Sequence, residues 1–133
     1  MSLQSTDQVA DLLTRIRNAV MVGKHEILVP TSKLKVGVTE VLKANGYIAD
    51  YEVLEGSPRG TLHVTIFEPG TVSKINEITK VSKPGRRVYA GADELPVVKS
   101  GRGMIIVSTS KGLMTGREAK KQRLGGEILV RVW

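Results

Sequence analysis

The stretch from Met104 to Glu127, MIIVSTSKGLMTGREAKKQRLGGE, constrains the fold more than any other part of the chain. Met104 to Val107 is a continuous apolar run of strand length. Ser108-Thr109-Ser110-Lys111-Gly112 then reads as a hydroxyl-rich turn. Thr115, with Glu118 three residues later, forms a capping box that opens a short basic helix. Gly125-Gly126-Glu127 leads into a last strand, where Ile128, Val130 and Val132 alternate with Leu129, Arg131 and Trp133. Strand, helix and strand following so closely point to a mixed α/β fold.

The first half reads as helix, strand, helix, strand, strand. Val9, Leu12, Leu13, Ile16 and Val20 fall on one helical face. Ser5 and Gln8 have capping-box spacing, and Asp7 favours the same helix N-terminus. Ile27 to Val29 is a short strand stopped by Pro30. Thr31 or Ser32 caps a second helix, with Leu34, Val38, Val41 and Leu42 inward and Asn45-Gly46 as its stop. Tyr47 to Val53 and Thr61 to Phe67 alternate as paired strands around a turn from Glu55 to Gly60. The break at Phe67-Glu68-Pro69-Gly70-Thr71 divides the chain into two small mixed α/β (α+β) domains, residues 1–68 and 69–133. The second is mostly β with one short basic helix. It begins with a strand from Ile75 to Val81, a break at Lys83-Pro84-Gly85 and a strand from Arg86 to Tyr89. One or two helical turns follow between Asp93 and Val98.

Charge follows the same division. The chain carries a net +7, yet residues 1–66 hold seven Lys/Arg against seven Asp/Glu. Residues 67–133 hold thirteen against six, so the whole excess lies there. Such asymmetry suits an anionic partner docked on the second half, with nucleic acid the leading class. With no cysteine, disulfides and thiolate metal sites are excluded and a reducing compartment is the natural reading. No apolar run reaches the roughly 20 residues of a membrane span. The N-terminus has no apolar signal core.

The Ser108-Thr109-Ser110 triplet has two readings. Its hydroxyls can bond the local backbone of a turn, or they can meet base edges, 2′-hydroxyls and phosphates. Lys111 adjoins it, and Arg117, Lys120 and Lys121 share a helix face that supplies sequence-independent attraction. Gly125 can be the stop of the basic helix, or Gly125 and Gly126 can admit another backbone, including that of RNA. Glu127 can accept from a base amino group or pair with a cation. Tyr89, after Arg86, Arg87 and Val88, can stack on a base or sit half-buried at a strand end. Enzymatic readings are weak. Ser32-x-x-Lys35 and Ser108-x-x-Lys111 have the S-x-x-K spacing of a serine acyl-enzyme but lack its companion motifs. His25 and His63 have no metal-ligand spacing. No catalytic residue, metal ligand or cofactor site is assigned.

The chain as a whole resembles the bacterial-type family of small-subunit ribosomal protein eight. The resemblance rests on Ile16-Arg17-Asn18-Ala19, Pro30 to Lys35, Ser82 to Tyr89 (SKPGRRVY), Gly101-Arg102-Gly103, Ser108 to Gly112 and Gly125-Gly126-Glu127, in family order from end to end. It implies a non-enzymatic structural constituent of the small ribosomal subunit in the cytoplasm, monomeric within the ribosome. It implies primary binding to an irregular helix in the central domain of small-subunit ribosomal RNA, and a part in assembling the platform. Ribosomal proteins five and twelve are the implied neighbours. The implied RNA-facing residues are Ser108, Thr109, Ser110, Tyr89, Gly125, Gly126 and Glu127, carried mainly by the second domain. Thr31, Ser32 and Lys33 are implied secondary contacts. The cations Arg86, Arg87, Lys111, Lys120 and Lys121 complete the expected surface. A free RNA chaperone or translational repressor is the alternative.

Overall fold

A computed structural model describes residues 7–56 and 60–133. Helix α1, Gln8–Val22, starts at Asp7, whose carboxylate accepts from the Ala10 amide at 3.1 Å. Ser5 lies outside the described residues, and Asp7 is the cap. The helix stops at Gly23, which takes φ 76°. Val9, Leu12, Leu13, Ile16 and Ala19 are buried along one face, with Val20 at its margin.

Strand β1, Glu26–Pro30, leads to helix α2, Lys33–Ala44, capped by the Ser32 side chain on the Lys35 amide at 3.2 Å. The inward face of α2 differs from expectation. Leu34 is exposed, and Lys35 takes the buried position beside Val38, Thr39 and Leu42. Its stem covers apolar surface while its ammonium donates to the Pro30 carbonyl at 2.9 Å, so a long cation fills a core slot with an acceptor for its head group. Strands β2, Asp50–Leu54, and β3, Thr61–Thr65, complete an antiparallel sheet in the order β1-β3-β2.

The second sheet holds β4 (Ile78–Lys80), β5 (Tyr89–Ala90), β6 (Met104–Thr109), β7 (Gly112–Thr115) and β8 (Gly126–Val132). Its order is β4-β8-β6-β7, with β5 also paired to β8. Two 3₁₀ turns, Ala92–Glu94 and Lys99–Gly101, and helix α3, Gly116–Lys121, cover one face. The strand expected from Ile75 is ladder only over Ile78–Lys80, because Asn76 and Glu77 spend their amides on the Trp133 carbonyl. The strand expected over Arg86 to Tyr89 is reduced to Tyr89–Ala90. Arg86 instead bridges back to Lys83. Strand β7 differs from the sequence expectation, which has only a turn between Ser108 and the basic helix.

Side chains from both sheets share one core. Buried residues of α1, α2, β1 and β3 are contiguous with Ile75, Ile78, Ile106, Leu129, Val130 and Val132. Arg17 donates to the Ile78 carbonyl at 2.6 Å. Lys80 joins Asp7 at 3.0 Å, which ties the cap of α1 to β4. A register shift between Ile106 and Val107 lets Leu129 be buried alongside Ile128 and Val130, so the simple alternation expected of β8 fails there. A smaller cluster of Leu95, Val98, Ile105, Val107, Ala119 and Ile128 lies under α3 on the opposite face.

Candidate RNA-binding surface

Tyr89, Glu127 and Ser108 are directly opposite one another on β5, β8 and β6, so their side chains form one row on one face. Leu113 of β7 ends that row. Leu113 packs against α2 at Gly37, where an added Cβ would meet its Cδ1 at 2.7 Å. The start of α2, with Thr31, Ser32 and Lys33, is therefore on the same side of the sheet as Ser108. There Lys33 is exposed, Thr31 is half-buried and the Ser32 hydroxyl is committed to its cap.

The hydroxyl triplet divides into two roles. Ser108 and Thr109 lie in β6 rather than in a turn, and only Ser110 and Lys111 form the tip of the hairpin. The left-handed bend falls on Gly112, at φ 111°. The Thr109 hydroxyl donates to the Gly112 carbonyl at 2.8 Å and accepts from the Lys111 amide at 3.1 Å, so it is spent on the hairpin. Among the described residues, the Ser108 and Ser110 hydroxyls have no side-chain partner, and Ser110 is exposed.

Glu127 is a bracing residue. Its carboxylate accepts from the Ser82 hydroxyl and from Arg87 at 3.3 Å, and its side chain is only 20% exposed. Ser82 is fully buried, and its hydroxyl accepts from the Val88 amide at 3.1 Å. The chain Glu127–Ser82–Val88 thus fixes the segment that carries Arg86, Arg87 and Tyr89. The one sequence signal for Ser82 is its place in the SKPGRRVY segment. Tyr89 is 69% exposed, with a ring free to stack.

The two glycines also have a structural duty. A Cβ on Gly125 would meet the Ala90 carbonyl oxygen at 2.5 Å and Gly91 Cα at 2.8 Å. One on Gly126 would meet the Ser108 carbonyl carbon at 2.9 Å and Thr109 Cα at 3.2 Å. The backbones admitted are the protein's own β5 and β6. Nor does Gly125 stop the helix. Helix α3 ends in a Schellman arrangement, with Arg123 at φ 58° and amide bonds from Leu124 to Ala119 and from Arg123 to Lys120.

The cations surround the end of the sheet without sharing one face. Arg86, Arg87 and Lys111 are exposed near the Tyr89–Ser108 row. Helix α3 packs on the face bearing Ile105 and Val107, and strand alternation turns Ser108 the other way. Lys120 and Lys121 therefore approach from the far side. Lys120 joins Arg117 and Arg102 at a cleft of about 360 Å³ beside Leu95 to Val98. Among the described residues, no group of His, Asp and Glu has the geometry to hold a metal, and no helix is long and apolar enough to cross a membrane.

A two-sheet α/β scaffold with a hydroxyl and tyrosine row among cations has the make-up of a non-catalytic nucleic-acid-binding protein. Residues 7–133 match the family model described as Ribosomal protein S8. The chain is 49% identical to the small ribosomal subunit protein uS8 of Geobacter sulfurreducens, over 98% of this chain and 100% of the relative. It is 49% identical to that of Exiguobacterium sibiricum, over 96% and 98%, and 46% identical to that of Kosmotoga olearia, over 96% and 98%. The chain belongs to the ribosomal protein S8 family, whose members are structural, non-enzymatic parts of the ribosome.

Proposed function

We propose that this protein is a structural constituent of the small ribosomal subunit that binds ribosomal RNA through the unit formed by residues 69–133. The observation that carries this reading is the row at the end of the second sheet. The Ser108 hydroxyl and the exposed Tyr89 are held on the strand ladder, the uncommitted Ser110 hydroxyl stands at the adjoining hairpin tip, and cations lie on both sides. Ser108 and Ser110 supply directional contacts to base edges and 2′-hydroxyls, Tyr89 stacks, and Gly125 and Gly126 at the start of β8 keep the three strands close. Glu127 braces the surface. Arg86, Arg87, Lys111, Lys120 and Lys121 neutralise phosphates from two sides, which suits a bent or irregular helix better than a flat one. The RNA is an irregular helix of the central domain of small-subunit ribosomal RNA, and binding there helps build the platform. Lys33 and Thr31 add contacts at the margin, and ribosomal proteins five and twelve are the neighbours.

Chemical footprinting of small-subunit ribosomal RNA with the full chain tests this. Protection should be confined to one irregular helix. Affinity should fall with salt at a log–log slope of about −3 to −5, as expected for four to six phosphate contacts. Protection scattered over regular duplexes, or a flat salt response, contradicts it.

A further inference from the structure

The outer face of the first sheet has the opposite character. Ladder register places Glu26, Asp50 and Glu52 outward together with Leu28, His63 and Leu54, while Ile27, Val29, Leu62 and Val64 point into the core. None of the outward positions in that register is a lysine or an arginine. Leu28 is 56% exposed and Leu54 38%. Among the described residues, Lys43 is paired to this face, on Asp50 at 2.9 Å. The Glu26 carboxylate sits 3.0 Å from both His63 and His25, and the His63 hydrogen bond helps hold it below the ordinary carboxylate range. Glu52 stands across from His63, exposed. The molecule therefore has two poles: a basic sheet end and an acidic sheet face with two leucines open to solvent.

We infer that this face docks a lysine- and arginine-rich extended segment of a neighbouring protein in the small subunit. The inference rests on the function proposed above. Charge decides the occupant. Three carboxylates against one paired lysine leave the face net negative, so RNA is disfavoured, whereas a basic segment gains steering and specificity from it. The leucines decide the form. They lie on opposite edge strands of a narrow sheet, so a chain crossing it with alternating apolar and basic side chains covers both and keeps its cations against Glu26 and Glu52. The edge β2, exposed at four of its five residues, leaves room for such a segment to enter.

Photocrosslinking in assembled particles tests this. Leu28 is replaced by p-benzoylphenylalanine in the full-length chain, the protein is incorporated into small subunits, and the products of irradiation are mapped. The expected product joins position 28 to a Lys/Arg-rich segment of another subunit protein. Crosslinks to RNA alone, or none from particles that contain the labelled protein, overturn the inference. Failure of the labelled protein to sediment with small subunits overturns the underlying functional reading as well. As a second arm, Glu52→Lys, at an exposed site outside the RNA surface, should lower the yield of that crosslink by about fivefold, the scale of losing one exposed pair and adding one repulsion. The ribosomal RNA footprint should be unchanged. An unaltered yield counts against charge as the cause.

Discussion

Replacing Glu127 separates bracing from direct RNA contact. Glu127→Ala removes the ionised acceptor of the buried Ser82 hydroxyl, a bond whose loss costs about 1.5–3 kcal/mol. The Arg87 pair is half in solvent and adds at most about 1 kcal/mol. A total near 2–3 kcal/mol should lower the urea midpoint by roughly 1 M at the m-values usual for small proteins. Glu127→Gln keeps an acceptor for Ser82 and should lose less than half as much. Ser82→Ala strands the Val88 amide, and a double-mutant cycle between Ser82 and Glu127 should show coupling of about 1 kcal/mol or more. RNA affinity is then measured per folded molecule. If Glu127 acts by positioning Tyr89, Tyr89→Ala should cost little further affinity in the Glu127→Ala background. Glu127→Ala with an unchanged urea midpoint but weakened RNA binding would refute the bracing role and return the carboxylate to the RNA.

Within the hydroxyl triplet, Thr109→Ala should reduce stability by about 0.5–1.5 kcal/mol and spare affinity per folded molecule. Ser110→Ala should do the reverse, weakening cognate RNA by about 1–3 kcal/mol; identical behaviour of the two variants in melting and titration rules this division out. Gly126→Ala, read by denaturation, should destabilise by about 1–3 kcal/mol, because the added carbon meets backbone rather than a side chain that can move. Arg123→Gly relieves a left-handed arginine and should raise stability by about 1 kcal/mol, with RNA binding lowered only by the loss of one cation. The indole hydrogen bond of Trp133, and then Arg131, hold the Glu77 carboxyl below its ordinary range. Its unfolded form therefore binds protons first, so its stabilising effect is complete above the ordinary carboxylate range and lost as pH falls through the depressed value. Melting curves taken down that range should be flatter at the acid end for Glu77→Gln than for the parent.

Much of the scaffold is legible in the sequence because local rules act alone there. The apolar spacing of α1 and the Asn45-Gly46 stop of α2 need no knowledge of the rest of the chain. The failures come where a distant partner overrides the local preference. Lys35 takes a core position because the Pro30 carbonyl is there to receive its ammonium, and Leu34 is displaced outward. Ser108 and Thr109 read as turn residues, yet pairing with Leu113 and Gly112 draws them into a strand. Leu113 and Met114 are too few to announce β7 by themselves. At the candidate surface, residue types suggested polar contact, but apportioning the hydroxyls and Glu127 needed three dimensions. Ser82 lies 45 residues from the carboxylate it serves, and no spacing rule links the two.

The position of β8 has a consequence for biosynthesis. This strand joins β4, β5 and β6, although it follows all of them in the sequence. Leu129, Val130 and Val132 also complete the core under α1. As the chain is made, β6 and β7 can close as a local hairpin, but β4 and β5 have nothing to pair with until Gly126–Val132 has been synthesised. Beyond that hairpin, the second sheet therefore has to close late, through contacts of long sequence separation that form slowly. In the interval, β6 offers an open edge to other chains. Prompt capture of the finished sheet by RNA would shift the folding equilibrium toward the native state by mass action. Synthesis in excess of available RNA would leave more chains in the interval where aggregation competes.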